Sequence, residues 1–462
     1  MRVFLVAMSA LVLTQCTNSC DPDPVPPRTA VDCIPQEVRS APVRAAPRLG
    51  SIKVYIDGSQ SMSGYVRPGA GTANPMADLL RLVRRFADRH SVAPGFAAFG
   101  RKITEIDPDG AVQRYSQEAA YTCSGCDKQE SRIDNVLDEA AKAPTGSLTL
   151  IVTDLWLDNQ SFSGSAEVAL GGPLQDLLRG GRSVGIVGAM APFSGSVYGV
   201  PGAGTYRLSG ERPLFIIASG SMADVLALKN ALFASKSPLF TPERARFSLY
   251  STEWPTPPIR PIALRAVGNG VANDNVLGSD VQTRSLQFRL QQALAKKQNG
   301  RIEAMVRPAK ALAEGRIGEG PLRATARVWK LSSGADLKTC PAGTWSETTS
   351  ISEVWQKPRS PSEPLKFRLD ADSSAGLVPG NTYYILGEVG ATGIAVPNPA
   401  SAWLREWSLS PADGPAFIAG NPTQFKTLNL GALSDLMEQE VAQGTPKGVT
   451  VRRFGFVTRI ER

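Results

Sequence analysis

The sequence has a single histidine, His90, in 462 residues. Catalytic triads and most protein zinc sites draw on imidazole, so both lose their usual base or ligand. His90 itself follows FADR at the close of an apolar-periodic segment, where a cation favours a helix C-terminus, and it reads as structural. Cysteine is scarce as well, with six in the chain. Cys123 and Cys126 form a C-x-x-C. Zinc lacks ligands, and no thioredoxin-like pattern surrounds the pair, so a disulfide that tightens a loop is the reading preferred to a redox centre. Charge of one sign is not concentrated. The 50 basic and 42 acidic residues leave +8 over the chain, and no dense Lys/Arg run stands out. A mildly basic surface follows, with no nucleic-acid footprint.

Beyond the first residues, no apolar run is long enough for a membrane span. The start is different: Arg2 precedes VFLVAMSALVL, the pattern of an export signal, and TQC follows at residues 14–16. LVLTQC resembles the lipobox of bacterial lipoproteins, in which the cysteine is lipidated, although Gln15 replaces the usual small residue. The resemblance implies an exported chain held in the periplasm or at the outer membrane by a lipid on Cys16, with no other membrane contact. Removing Cys16 leaves five cysteines, so at least one is unpaired or pairs outside the chain. Residues 17–48 are rich in proline and lack periodicity, as expected of an extended spacer.

From residue 49 to about 240, short apolar runs alternate with amphipathic stretches. That pattern predicts an α/β domain, a mostly parallel doubly wound sheet with one antiparallel edge strand. SIKVYI is its first strand, Asn74-Pro75 opens a helix, and GFAAFG with RKITEI forms a hairpin around Gly100. SLTLIVTD at 147–154 has the composition of a fully buried strand. A strand in SVGIVGAM, a Gly-rich excursion over 191–210, a strand in RPLFIIAS and a helix from Ser221 complete the domain. Residues 241–462 read as a β-rich, sandwich-like module with a helix near 434–442.

In an open α/β sheet, ligands gather at the carboxyl ends of the strands. DGSQSMSG lies where the first strand ends, and Thr153 with Asp154 lies where the strongest strand ends. Two carboxylates with several hydroxyls make an oxygen-only donor set, which suits Mg²⁺, Mn²⁺ or Ca²⁺. The alternate spacing of D-x-S-x-S lets neighbouring side chains of a tight turn converge.

These residues resemble the metal-ion-dependent adhesion site of the von Willebrand factor type A family. Asp57, Ser59 and Ser61 match its D-x-S-x-S. Ser131 in SRIDNVL takes the place of the threonine, and Asp154 in LIVTD closes the pattern. The resemblance spans about residues 49–240. It implies that Ser59 and Ser61 bind a metal directly, that Ser131 binds directly or through water, and that Asp57 and Asp154 act mostly through water. It also implies that the metal accepts an acidic side chain from a protein partner. Tyr65 and Trp156 are candidates for the partner-binding rim. Leu155 departs from the glycine frequent in the family, and serine at 131 keeps the hydroxyl but loses the methyl that limits its rotamers. The rival readings are a metal-dependent hydrolase or phosphatase on the same fold and a structural envelope lipoprotein with a degenerate site. A dehalogenase-like phosphatase would need a second aspartate where Ser59 stands.

Overall fold

The computed structural model describes residues 33–36, 38, 49–67, 74–122, 131–156 and 166–253. Further on it describes 259, 264–274, 276–277, 285–291, 300–306, 322–335, 344–348, 354–356, 365–370, 377–391, 396–445 and 449–462. Cys16, Cys123 and Cys126 lie outside the described residues.

In the first unit, β1 (Ser51–Asp57) leads through a 3-10 turn (Gln60–Tyr65) to α1 (Pro75–Arg89). Asn74 caps α1, its Oδ1 accepting the Ala77 amide at 2.9 Å, and Pro75 supplies a preset φ at the first helical position. Then follow β2 (Pro94–Phe99), β3 (Ile103–Ile106), α2 (Pro108–Tyr115), α3 (Ala119–Thr122), α4 (Ile133–Lys142) and β4 (Ser147–Thr153). The set closes with α5 (Ala166–Arg179), β5 (Ser183–Val200), β6 (Gly204–Gly220), α6 (Met222–Phe233) and β7 (Ala245–Tyr250).

The sheet order is β3-β2-β1-β4-β6-β5-β7. At its centre β2, β1 and β4 are mutually parallel, and β5 shares their direction. The edge strand β3 is antiparallel, as expected. The expectation of a single antiparallel strand fails on the other side, where β6 and β7 also run against their neighbours. The reason is the stretch 191–210, which is not an irregular excursion. Its residues extend β5 and β6 into one long hairpin paired from Ser183↔Gly220 to Val200↔Gly204. A hairpin has to return antiparallel.

The strand β7, in RARFSLY, joins this sheet and not the β-rich module, so the unit extends to about residue 250. On one face, Leu79, Leu80, Val83 and Phe86 of α1 and Val225, Leu228 and Leu232 of α6 pack against the sheet. Burying each such side chain contributes about 1.5–3 kcal/mol.

The second unit contains two sheets facing one core. One has the order β13 (Trp345–Thr348), β12 (Leu322–Leu331), β16 (Thr382–Ala391), β19 (Val449–Glu461), β10 (Leu286–Gln291) and β9 (Val271–Asn273). The other has the order β14 (Trp355–Gln356), β15 (Leu365–Asp370), β11 (Arg301–Val306) and β8 (Arg265–Val267). Tyr383 and Ile385 enter the core between the sheets, whereas Tyr384 and Leu386 enter a second cluster on the outer face, as strand alternation requires. Cys33, Ile34 and Val38 are buried in that outer cluster, and Cys33 is disulfide-bonded. The spacer expected over 17–48 is therefore anchored in part over 33–38.

Between β16 and β19 the chain leaves the sandwich. The helices α7 (Ala402–Glu406) and α9 (Leu430–Gly444) cover the second face of the α/β sheet beside α4 and α5. The helix expected near 434–442 is real, but it belongs to the first unit. Its seat is prepared by Gly188 on β5: a Cβ there would lie 2.8 Å from the Trp403 ring and 2.9 Å from that of Trp407. Trp403 Nε1 donates to Ser248 Oγ at 2.7 Å on β7. Between these helices, α8 (Gly414–Ala419) and the short parallel strands β17 (Ser408–Leu409) and β18 (Thr427–Leu428) lead Phe425 into the core on the opposite face. No helix among the described residues is long and apolar enough to cross a membrane.

Candidate metal centre

The carboxylate of Asp57 lies at the end of β1 with no exposed surface. Its Oδ1 accepts the Ser59 amide at 2.8 Å, the bond that turns the chain out of the strand. Its Oδ2 accepts the Ser131 hydroxyl at 2.8 Å and the Thr153 hydroxyl at 2.7 Å. One acid thus gathers the turn after β1, the residue ahead of α4 and the end of β4. Ser59 Oγ and Ser61 Oγ are 3.1 Å apart. Asp154 follows β4, 2 % exposed, and its Oδ1 accepts the Trp156 amide at 3.3 Å.

Burial first, and then the neighbouring charge of Asp154, push the Asp57 carboxyl up to about 6 against the lowering effect of the bonds from Thr153 and Ser59. An ionised Asp57 is thus under-compensated, the environment in which a cation is favoured. Among the described residues no group of three or more His, Cys, Asp and Glu could hold a metal. The donors here are of another kind: two carboxylates and the hydroxyls of Ser59, Ser61, Ser131 and Thr153. Hard divalent cations accept such a set with water completing the shell, and Asp154 Oδ2 has no hydrogen-bond partner. The residues present fit a divalent cation.

Of the expected site residues, Asp57, Ser59, Ser61 and Ser131 form one hydrogen-bonded group, with Asp154 beside it. Tyr65 is a correction. It is fully buried, its hydroxyl donates to the Pro213 carbonyl at 2.5 Å, and it supports the turn without offering a rim surface. Trp156 is partly buried and packs on Phe425, with ring centroids 6.0 Å apart, and its indole nitrogen is enclosed. It is a packing residue more than an open anchor.

Leu155 adopts φ 51, the left-handed region that glycine occupies without cost. Its side chain is 1 % exposed in the core beside α4 and α5, and that burial offsets the backbone strain.

Two participants carry no sequence signal. The distal β5–β6 hairpin presses Phe193 against the turn after β1, where a Cβ on Gly64 would meet the Phe193 ring at 2.3 Å. Arg212 on β6 is fully buried, with Nη1 2.8 Å from Asp154 Oδ2. Phe193 sits in the stretch whose glycines suggested a loop, and Arg212 opens the strand expected in RPLFIIAS. No protein-family model, curated protein or solved structure matches this chain.

Proposed function

We propose that this chain is an exported, lipid-anchored envelope protein of the von Willebrand A type. In this reading its α/β unit binds a protein partner through a divalent cation held by Asp57, Ser59, Ser61, Ser131 and Asp154. The observation that carries the reading is the convergence on Asp57: three elements far apart in sequence bring Ser59, Ser131 and Thr153 to one buried carboxylate at a strand rim.

The bound ion would supply an electrophilic position for an acidic side chain of the partner. The chain's own residues do the positioning. Asp57 fixes the Ser59 amide and the Ser131 hydroxyl, and the Ser59–Ser61 contact aligns two neutral oxygens. Ser61 and Ser131 are part-exposed and form the open side. Neutral donors leave the ion short of negative charge, and an incoming carboxylate makes up the difference.

The hydrolase reading has less support. Both Asp57 oxygens are engaged and the residue is enclosed, so it is badly placed as a nucleophile. The string GRSVG at 181–185 has the letters of a nucleophile elbow, but Ser183 begins β5, is buried, and donates to Ser251 Oγ at 2.7 Å.

Calorimetric titration with Mg²⁺ and Mn²⁺ tests the proposal. Wild type should bind and D57A should not; silence of the wild type at millimolar metal would refute it. Affinity capture with wild type against D57A in Mg²⁺ then isolates the partner.

A further inference from the structure

We propose that Arg212 is a resident counter-cation of the oxygen cluster, which holds Asp154 when no divalent ion is bound and competes with the ion for it. The inference rests on the metal-dependent reading above and adds a built-in limit on affinity.

Arginine is almost never fully buried without a partner, and Arg212 has no exposed surface. Its partner is Asp154, at 2.8 Å. Yet the contact is one of charge only. No N–H of the guanidinium points at an acceptor among the described residues: Nε, Nη1 and Nη2 all lack hydrogen bonds, as does Asp154 Oδ2. The flat group is instead held between the Trp156 and Phe193 rings, its central carbon 5.3 Å from each centroid.

An aligned, two-bond pair would offset the desolvation of both ions and resist exchange. This pair keeps the attraction without the alignment, so Asp154 remains available to a better-coordinated cation. The backbone around Arg212 is fixed on one side by β5, in the pair Ala191↔Arg212, and on the other by the bonds of Glu211 with Thr423 and Phe425 at 2.9 and 2.8 Å. That second contact takes over the edge of β6 that β4 leaves after the pair Thr153↔Phe215.

The charge balance gives the consequence. Asp57 and Asp154 bring two negative charges and Arg212 returns one positive charge. A divalent ion entering the cluster meets a like charge at close range, in surroundings where charges are poorly screened. Removing that charge should tighten binding.

The test is a Mn²⁺ titration of the full chain by calorimetry, comparing wild type, R212M, R212K and the double variant D154N/R212M. R212M should bind at least tenfold more tightly than wild type, and R212K should stay near wild type. The double variant should lose the gain. A purely structural arginine predicts the opposite, weaker binding on its removal. If wild type binds and R212M binds equally or less, the counter-cation idea fails while the metal reading stands. If neither binds at millimolar Mn²⁺, both fail. R212Q, which keeps a polar head on a shorter stem, replaces R212M in the comparison if that variant does not fold.

Discussion

Replacing Asp57 with asparagine should stabilise the metal-free protein at alkaline pH while it removes metal binding. Asn has the same shape, and the hydroxyls of Ser131 and Thr153 can rotate to accept from its amide, so most of the hydrogen bonding survives. What disappears is a buried charge. In the folded state the Asp57 carboxyl is pushed up to about 6 from an ordinary value of 3.8. A raised carboxylate binds its proton more tightly in the folded state. Its contribution to stability is therefore complete below the unfolded value and is lost as pH rises through about 6.

The full linkage is on the order of 3 kcal/mol at 1.36 kcal/mol per pKa unit. About half of it, roughly 1.5 kcal/mol, falls between pH 5 and pH 8, because the unfolded carboxyl is already ionised at pH 5. Urea unfolding in EDTA at these two pH values measures it. The stability of D57N relative to wild type should rise by about 1.5 kcal/mol from pH 5 to pH 8. Other titrating groups cancel in that comparison. An unchanged difference between the two pH values would show that Asp57 does not titrate as a buried, raised carboxyl.

Metal affinity should follow the same group in the other direction. A proton competes for Asp57, so the apparent Mn²⁺ affinity of wild type should fall about tenfold per pH unit below 6, read by titration at pH 7, 6 and 5. G64A should push the Phe193 ring off the turn, lowering stability by about 1–3 kcal/mol in thermal unfolding and weakening metal binding with it. On the opposite face, Glu438 is fully buried, accepts from the Asn398 amide and the Ser401 hydroxyl, and pairs with Arg405. E438A should cost about 3–5 kcal/mol in urea unfolding and leave the Mn²⁺ affinity of the folded protein unchanged.

Local signals marked the elements whose residues decide their own conformation. Asn74-Pro75 marked the start of α1, the Gly100 turn marked the β2–β3 hairpin, and the uninterrupted apolar run marked β4. The acidic turn and its distant companions were legible for the same reason, since each lies where a readable strand or helix begins or ends. The pairing of β5 with β6 was not legible. Glycines at 195, 199, 202 and 204 have the composition of a loop, and only the long-range ladder makes strand of all but Gly202, which turns the hairpin. Phe193 was hidden by the same misreading, whereas Arg212 lay in an expected strand and only the fold shows which carboxylate it meets. The allegiance of α9 was equally out of reach, because amphipathic spacing shows that a helix has an apolar face and says nothing of which sheet receives it. The helix Pro108–Tyr115 had a usable mark, Asp107 before Pro108, with the Asp107 carboxylate accepting the Asp109 amide at 3.2 Å.

The return of α7 and α9 to the first sheet has a consequence for biosynthesis. The strands from Ser51 to Tyr250 emerge from the ribosome with one face only partly covered, by α4 and α5, and with the slot at Gly188 waiting for two indoles. Nearly all of the sandwich strands are made before Leu430 arrives, and β19, the strand that joins β16 to β10, comes last of all. The first unit therefore cannot close until most of the sandwich has been made, and the sandwich waits in turn for β19. The nascent chain thus carries an incompletely covered apolar sheet until α9 emerges, which favours folding late in synthesis or after it.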